Sequence, residues 1–279
     1  MAARDVNPGD LVAACQRQRI SAKVLAVRRY SSKPLVKASL FATCLVDQFY
    51  PEVGESTVKV LRRLGVDLDF PVGQTCCGQP AFNSGFVTQA KPLALRFLDL
   101  FAGSDYVVVP SGSCAAMLKV FVPQMLQGDA KLAEQARALA SRTYEFSQFL
   151  VNVLGVTEVG ARFYGKVTYH ASCHLLRELG AATESQKLIQ AVHGVKYVEL
   201  EGATNCCGFG GTFSVKYPKI SEAILESKLR SIEATDADVV VACDSGCLMH
   251  IAGAMSRRGM KARPMHLAQL LAQGGANAG

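Results

Sequence analysis

Short apolar runs alternate with stretches of helical period along this chain, and the whole alternation occurs twice. Ala38 to Ala42 is a brief apolar strand that ends just before Cys44. Pro51 to Leu64 then carries Val53, Val58, Leu61 and Leu64 at helical spacing until Gly65 stops it. Val66 to Phe70 alternates as a strand does, Thr88 to Phe101 reads as a helix, and Asp105 to Pro110, centred on Val107-Val108-Val109, reads as a third strand. The second round runs from Val167 to His170, through a helix to Lys196 to Leu200, and through another to Asp238 to Val241. Between the rounds, Gly128 to Gly165 has Ala and Leu at helical spacing and predicts a connecting helix or two, with a boundary within Val156 to Gly165. Continuous apolar strands separated by helices predict an α/β protein with parallel sheets covered on both faces. The expected organisation is an extension over 1–36, a first α/β unit over 37–155 and a second over 156–279.

The same duplication orders the cysteines. A Cys at the end of a strand (Cys44, Cys173) is followed by Cys-Cys-Gly (Cys76-Cys77-Gly78, Cys206-Cys207-Gly208) and then by a Cys in a small-residue turn (Cys114, Cys247). Counterparts are offset by about 130 residues, as an internal repeat requires. At this composition, chance supplies roughly 0.03 Cys-Cys-Gly triplets, so two at matched positions are a framework. It takes up eight of the ten cysteines and leaves Cys15 and Cys243 outside. Every framework thiol falls at or soon after the carboxyl end of a strand, where loops and helix N-termini converge on ligands in open α/β sheets.

Thiolates gathered this way hold iron–sulfur clusters or zinc, and four per copy satisfy either a cubane [4Fe–4S] cluster or a tetrahedral zinc ion. Structural zinc favours Cys-x₂₋₄-Cys knuckles; the loose Cys243-x₃-Cys247 is the nearest approach to one, so iron–sulfur is preferred. The compact ferredoxin run is missing, which makes another subunit the expected source or destination of electrons. His170 and His174 flank Cys173, where an imidazole can ligate metal or donate a proton, or simply close a local hydrogen bond. Gly208-Phe209-Gly210-Gly211 lacks the third spaced glycine of a dinucleotide fingerprint. No paired carboxylate or triad names a catalytic acid or base, so the catalytic residues are unassigned.

Composition narrows the classes further. The chain has 279 residues, is 49% hydrophobic and carries a net charge of +7, with the basic residues densest from Arg17 to Lys37. No aromatic-studded basic motif accompanies this stretch, so it does not argue for nucleic acid. No apolar run approaches the ~20 residues of a membrane span, and the N-terminus carries no secretory cleavage pattern, so a soluble, cytoplasmic protein in a reducing compartment is expected. Asp5 and Asp10 fit a transit peptide poorly, and residues 1–36 are read as a poorly ordered extension.

The framework resembles the cysteine-rich (CCG) domain family, which includes the cysteine-rich chain of heterodisulfide reductase, the iron–sulfur subunits of glycolate oxidase and anaerobic glycerol-3-phosphate dehydrogenase, and the lactate utilisation proteins. Cys76 to Gly85, Ser111-Gly112-Ser113-Cys114, Asn205 to Lys216 and Pro264-Met265-His266 look like the lactate utilisation branch in particular. The resemblance implies two tandem Rossmann-like repeats related by a pseudo-twofold axis. It also implies one or two iron–sulfur clusters of the [4Fe–4S] type, with zinc as the alternative, held by Cys44, Cys76, Cys77, Cys114, Cys173, Cys206, Cys207 and Cys247. The implied role is electron transfer in oxidation of L-lactate to pyruvate, as a non-autonomous subunit beside a larger LutB-type iron–sulfur subunit and a LutC-type subunit. The alternatives are a heterodisulfide- or glycolate oxidase-type redox subunit and a non-redox zinc-binding assembly subunit. The heterodisulfide reductase relatives end each repeat in Cys-x-x-Cys; here Ser111 and Asp244 stand at the first position of that pair, with Cys243 one residue early. A four-thiolate cluster, or one completed by Ser111, Asp244, Cys243 or His170, is therefore the expectation.

Overall fold

The computed structural model describes residues 36–181 and 183–274. Cys15 and, apart from Val36, the predicted extension over 1–36 lie outside the described residues. Strands β1 (Lys37–Leu40), β2 (Asp67–Asp69), β3 (Val107–Val109) and β4 (Thr143–Glu145) form one sheet in the order β2-β1-β3-β4. Strands β5 (Arg162–His170), β6 (His193–Tyr197), β7 (Val239–Ala242) and β8 (Arg263–His266) form a second in the order β6-β5-β7-β8. Every pairing is parallel, with Leu40 opposite Val108 and Val167 opposite both Tyr197 and Val239. The α/β class and the parallel sheets predicted from the sequence are therefore present, and the two sheets share one topology.

Two strands were not anticipated. β4 reads Thr-Tyr-Glu and β8 reads Arg-Pro-Met-His, and neither offers an apolar run. Both lie at a sheet edge, where one side of the backbone needs no partner and Pro264 is tolerated. β6 begins at His193 and stops at Tyr197, earlier than the Lys196 to Leu200 reading. β5 starts at Arg162, inside the segment read as a boundary, and its register slips between Arg162 and Gly165.

Alternate residues of the central strands face different layers. Val108 of β3 and Val239 and Val241 of β7 enter a central core, whereas Val107, Val109 and Val240 enter outer ones. The central core is common to both sheets. It is filled by the helix Pro51–Arg63 (through Val53, Val60 and Leu61), by Phe146, Phe149 and Leu150, and by the helix Leu267–Ala272. Burying each such side chain contributes about 1.5–3 kcal/mol. The outer faces are covered by the helices Val87–Leu100 and Ala130–Ser141 on the first sheet and Pro218–Ala234 and Ser245–Arg258 on the second.

Polar contacts fasten the same layers. The Arg63 guanidinium donates to the carbonyls of Val159 at 3.0 Å, Leu271 at 3.1 Å and Ala272 at 3.1 Å. It thereby satisfies carbonyls that a helix C-terminus leaves without an internal donor. No helix among the described residues is long and apolar enough to cross a membrane.

Candidate metal centre

In each sheet the strand order reverses between two neighbouring strands, β1 and β3 in one and β5 and β7 in the other. This is the switch point at which such sheets bind ligands. Cys44 follows β1 and Cys114 follows β3; Cys173 follows β5 and Cys247 follows β7. The Cys-Cys-Gly turns arrive from β2 and β6. The two switch points face each other, and all eight framework cysteines line a single cavity of ≈ 190 Å³.

Local chemistry explains why each loop reaches that place. Gln74, buried, accepts from the Ala42 amide at 2.9 Å and donates to the Leu40 carbonyl at 2.7 Å, so its side chain prolongs the pairing of β1 beyond the sheet. This brings Cys76 beside Cys44, with the sulfurs 3.6 Å apart. In the second half a backbone bond from Ala171 to Ala203, at 3.2 Å, makes the corresponding link. Gly78 and Gly208 have φ of +88° and +90°, a region open to glycine, and each aims its amide at the sulfur two residues back, Cys76 at 3.4 Å and Cys206 at 3.3 Å. Cys77 donates to Cys114 and Cys207 to Cys247, both at 3.3 Å.

The halves are clasped at the cavity floor. Asp244 caps its own helix by accepting from Gly246 at 3.0 Å and Cys247 at 3.4 Å through one carboxylate oxygen. Its other oxygen accepts from the Ser111 hydroxyl at 2.9 Å and the Ser113 amide at 2.8 Å, so one carboxylate caps the cysteine helices of both halves. Close approach is built in nearby: a Cβ on Gly112 would lie 2.7 Å from the Leu175 Cβ, and one on Gly246 would lie 2.8 Å from the Phe209 ring.

The quartets are electrostatically primed for a cation. Thiol donors Cys44 and Cys77, joined by the Gly78 amide, pull the Cys76 pKa down to about 3. Cys173, Cys207 and the Gly208 amide pull Cys206 down to about 2, and Cys207 with His170 lowers Cys247 to about 6. The donors move the other way: Cys77, hydrogen-bonded to Cys114 and Cys76 and fully buried, and Cys207, bonded to Cys206 and Cys247, are both raised. Each quartet thus holds negative charge by sharing protons among thiols, the protons a metal displaces on binding. The inner thiols Cys77, Cys114, Cys207 and Cys247 are buried, whereas Cys44, Cys76, Cys173 and Cys206 are half-buried and face the opening.

Of the four further candidates, Ser111 and Asp244 line the cavity, engaged in the clasp. His170 is fully buried at the end of β5, with neither ring nitrogen given a hydrogen-bond partner of ordinary geometry among the described residues. A ring nitrogen lies within 4.8 Å of the Cys207 and Cys247 sulfurs, and the three form a group able to hold a metal ion. Cys243 is not brought to the site. Its thiol turns into the central core, 3.2 Å from the Ser185 hydroxyl, and burial, reinforced by Glu145, raises its pKa well above that of a free thiol. Its carbonyl accepts from the Gly112 amide at 3.1 Å, so Cys243 serves the clasp through its backbone. Gln74 was missed by sequence reasoning, because a glutamine two residues before a cysteine carries no signal until the fold sets it against β1.

This cavity, walled by two cysteine quartets at the switch points of twin parallel sheets, is the site of a duplicated cysteine-rich domain. The chain belongs to that family, CCG, whose profile matches residues 38–119 and 167–252. It is similar to Lactate utilization protein A of Bacillus subtilis (strain 168), at 50% identity over 236 residues that cover 85% of this chain and 99% of the relative. Lactate utilization protein A of Geobacillus thermodenitrificans (strain NG80-2) is 51% identical over the same length, covering 85% of this chain and 98% of the relative. Among solved structures, a hypothetical protein from Helicobacter pylori shares the fold at TM-score 0.58 and 10% identity; the match covers 98% of this chain and 55% of that one, about half its length.

Proposed function

We propose that this chain is an iron–sulfur-binding electron-transfer subunit of a system that oxidises L-lactate to pyruvate. The observation that carries the reading is the convergence of all eight framework thiols on one cavity. A single tetrahedral zinc ion fills the space between its four ligands. A space of ≈ 190 Å³, well above the ~10–15 Å³ that a single water needs, suits a multinuclear group. The ligands would be Cys44, Cys76, Cys77 and Cys114 in one half and Cys173, Cys206, Cys207 and Cys247 in the other. Bound there, iron–sulfur clusters supply one-electron donors and acceptors.

The chain's own groups prepare the site. The Gly78 and Gly208 amides donate to ligand sulfurs and offset their negative charge. The inner thiols are buried and the four outer ones half-buried, so the outer ones are the more accessible to a partner. Lactate chemistry need not be located on this chain: among the described residues that line the cavity none is a lysine or arginine, the usual partners of a carboxylate. The naming of the relatives for lactate utilization supports the pathway. Lactate gives up two electrons and two protons on becoming pyruvate, and a LutB-type iron–sulfur subunit and a LutC-type subunit complete the system in this reading.

One observation favours a second reading. Sulfur pairs at 3.3 and 3.6 Å are close to the ~3.8 Å edge of a zinc tetrahedron with 2.3 Å bonds, as a structural zinc subunit would have. Iron, zinc and acid-labile sulfide per chain, measured on anaerobically purified protein with its electron paramagnetic resonance spectrum, decide between them. About four iron and four sulfide per filled quartet are expected. Stoichiometric zinc without sulfide overturns the electron-transfer role.

A further inference from the structure

The two quartets share their ligands and their topology, but not what stands behind them. Counting back from the first cysteine of each half, Phe41 occupies the place that His170 takes in the second. The outer helices are matched by the structure itself: Gly78 abuts Ala90 and Leu93, and Gly208 abuts Ser221 and Ile224. The N-terminal capping positions, Phe86 and Tyr217, keep the same offset. In that register Phe97 corresponds to Lys228. Phe41 and Phe97 pack edge to face, ring centroids 5.8 Å apart, in the same core cluster as Cys77 and Cys114. The C-terminal half has exchanged this aromatic pair for an imidazole and an ammonium.

Both replacements are deeply buried, His170 at 0% and Lys228 at 2% exposure. A buried ammonium persists only when its surroundings compensate it. Lys228 donates to the carbonyls of Gly202 at 2.5 Å and Ala203 at 3.4 Å, in the turn that leads into Cys206. Those are neutral acceptors. Burial lowers the Lys228 pKa, and the negative charge of Cys207, Cys247 and Cys206 works against that fall. The imidazole of His170 closes the other side against Cys207 and Cys247. Phenyl rings offer added electrons neither a charge nor a polar N–H; an ammonium offers the first and an imidazole the second, and net charge and hydrogen bonds to sulfur are among the factors that set cluster potentials.

We propose that the two centres are unequal, and that the C-terminal one, backed by Lys228 and His170, has the higher reduction potential and is where an electron within the chain comes to rest. The inference rests on the iron–sulfur reading above. An electron that enters at the N-terminal centre passes to the C-terminal one, oxidising the first and reducing the second by one electron each. Among the described residues Lys228 hydrogen-bonds carbonyls and no ligand sulfur, so it acts through its charge.

The test is a redox titration, followed by electron paramagnetic resonance, of the anaerobically prepared full chain. Each centre is isolated in turn by the paired substitutions Cys77→Ser with Cys114→Ser, or Cys207→Ser with Cys247→Ser. The centre that remains when the N-terminal quartet is disabled is expected to have the higher potential. Lys228→Met is expected to weaken reduction of that centre about tenfold, which is 59 mV for a one-electron couple, and to leave the other unmoved. Lys228→Arg is expected to restore the potential, and His170→Phe to lower it. A variant that loses helical circular dichroism or iron is replaced by Lys228→Gln, read in the same way. Equal potentials, or a Lys228→Met shift common to both centres, overturn the inference while iron and sulfide stay in place. Wild-type protein without iron and sulfide overturns the reading on which it rests, and the inference with it.

Discussion

The Ser111 hydroxyl donates to the Asp244 carboxylate at 2.9 Å, and the two residues hold the same position in the two repeats. Each stands three residues before the last cysteine of its half and caps the helix that carries it. The duplicated site is therefore joined through its own duplicated caps.

Removing that carboxylate leaves four donors without their acceptor: the Ser111 hydroxyl and the amides of Ser113, Gly246 and Cys247. Capping losses of 0.5–2 kcal/mol and unsatisfied buried donors at 1–3 kcal/mol put the cost of Asp244→Ala at about 3 kcal/mol. Ser111→Ala keeps the carboxylate and its other three bonds and is expected to cost about 1 kcal/mol. Urea unfolding of the two variants measures the difference; equal costs would show that the clasp contributes nothing beyond a single hydrogen bond.

Cys77→Ser and Cys207→Ser each remove a buried member of a quartet and are expected to abolish metal loading in that half. Cys243→Ser is expected to load fully, because its thiol faces Ser185 rather than the cavity. Cys15→Ser, outside the framework, is expected to behave likewise. Metal content per chain checks all four, and loss of metal in Cys243→Ser would place that thiol among the ligands.

Gly78 and Gly208 are matched in conformation but not in surroundings. A Cβ on Gly78 meets nothing nearer than 3.5 Å, whereas one on Gly208 would lie 2.5 Å from the Ser221 carbonyl. Gly78→Ala is expected to cost roughly 1–2 kcal/mol from backbone strain alone. Gly208→Ala has to displace main chain as well and is expected to cost at least twice as much, with reduced loading of the C-terminal quartet. Thermal unfolding of the two variants gives the order.

Glu145 and His266 close the edge strands β4 and β8, and both are fully buried helix caps. Burial raises the Glu145 pKa from 4.5 to about 7, against the opposing pull of the Ser147 hydroxyl and amide and the Gln148 amide. The folded state then binds more protons than the unfolded one between about pH 4.5 and 7, so stability falls as pH rises through that window, by roughly 3 kcal/mol for the full shift. Burial lowers His266 from 6.5 to about 4; the folded state binds fewer protons there, and stability rises from about pH 4 to 6.5. The two slopes oppose each other. Glu145→Gln is expected to uncover a rise in stability with pH, and His266→Asn a fall, in urea titrations from pH 4 to 7.5. Parallel profiles for the two variants would contradict both assignments.

The framework was legible because a cysteine site depends on residue identity at fixed spacing, and Cys-Cys-Gly at matched positions survives without knowledge of the fold. The central strands were legible because Val107 to Val109 and Val239 to Val241 face apolar layers on both sides. β4 and β8 were not, since an edge strand needs only one neighbour and their sequences carry Glu145, Arg263 and Pro264. Lys228 and Gln74 were equally hidden: a lysine in a helix and a glutamine in a loop are surface residues by default, and tertiary placement alone turns one inward behind a quartet and the other onto β1. Ser111 and Asp244 could be paired by repeat position, but not seen to bond.

Arg63 holds carbonyls of the last described helix against a helix formed more than two hundred residues earlier in the chain. During synthesis, therefore, the first half leaves the ribosome with one face of its core bare, and the opposite wall of the cavity does not yet exist. The two quartets come to face each other only once the second half has been made. The N-terminal quartet is complete by Cys114, yet until the second half has been made its thiols lack the wall that closes the cavity around them.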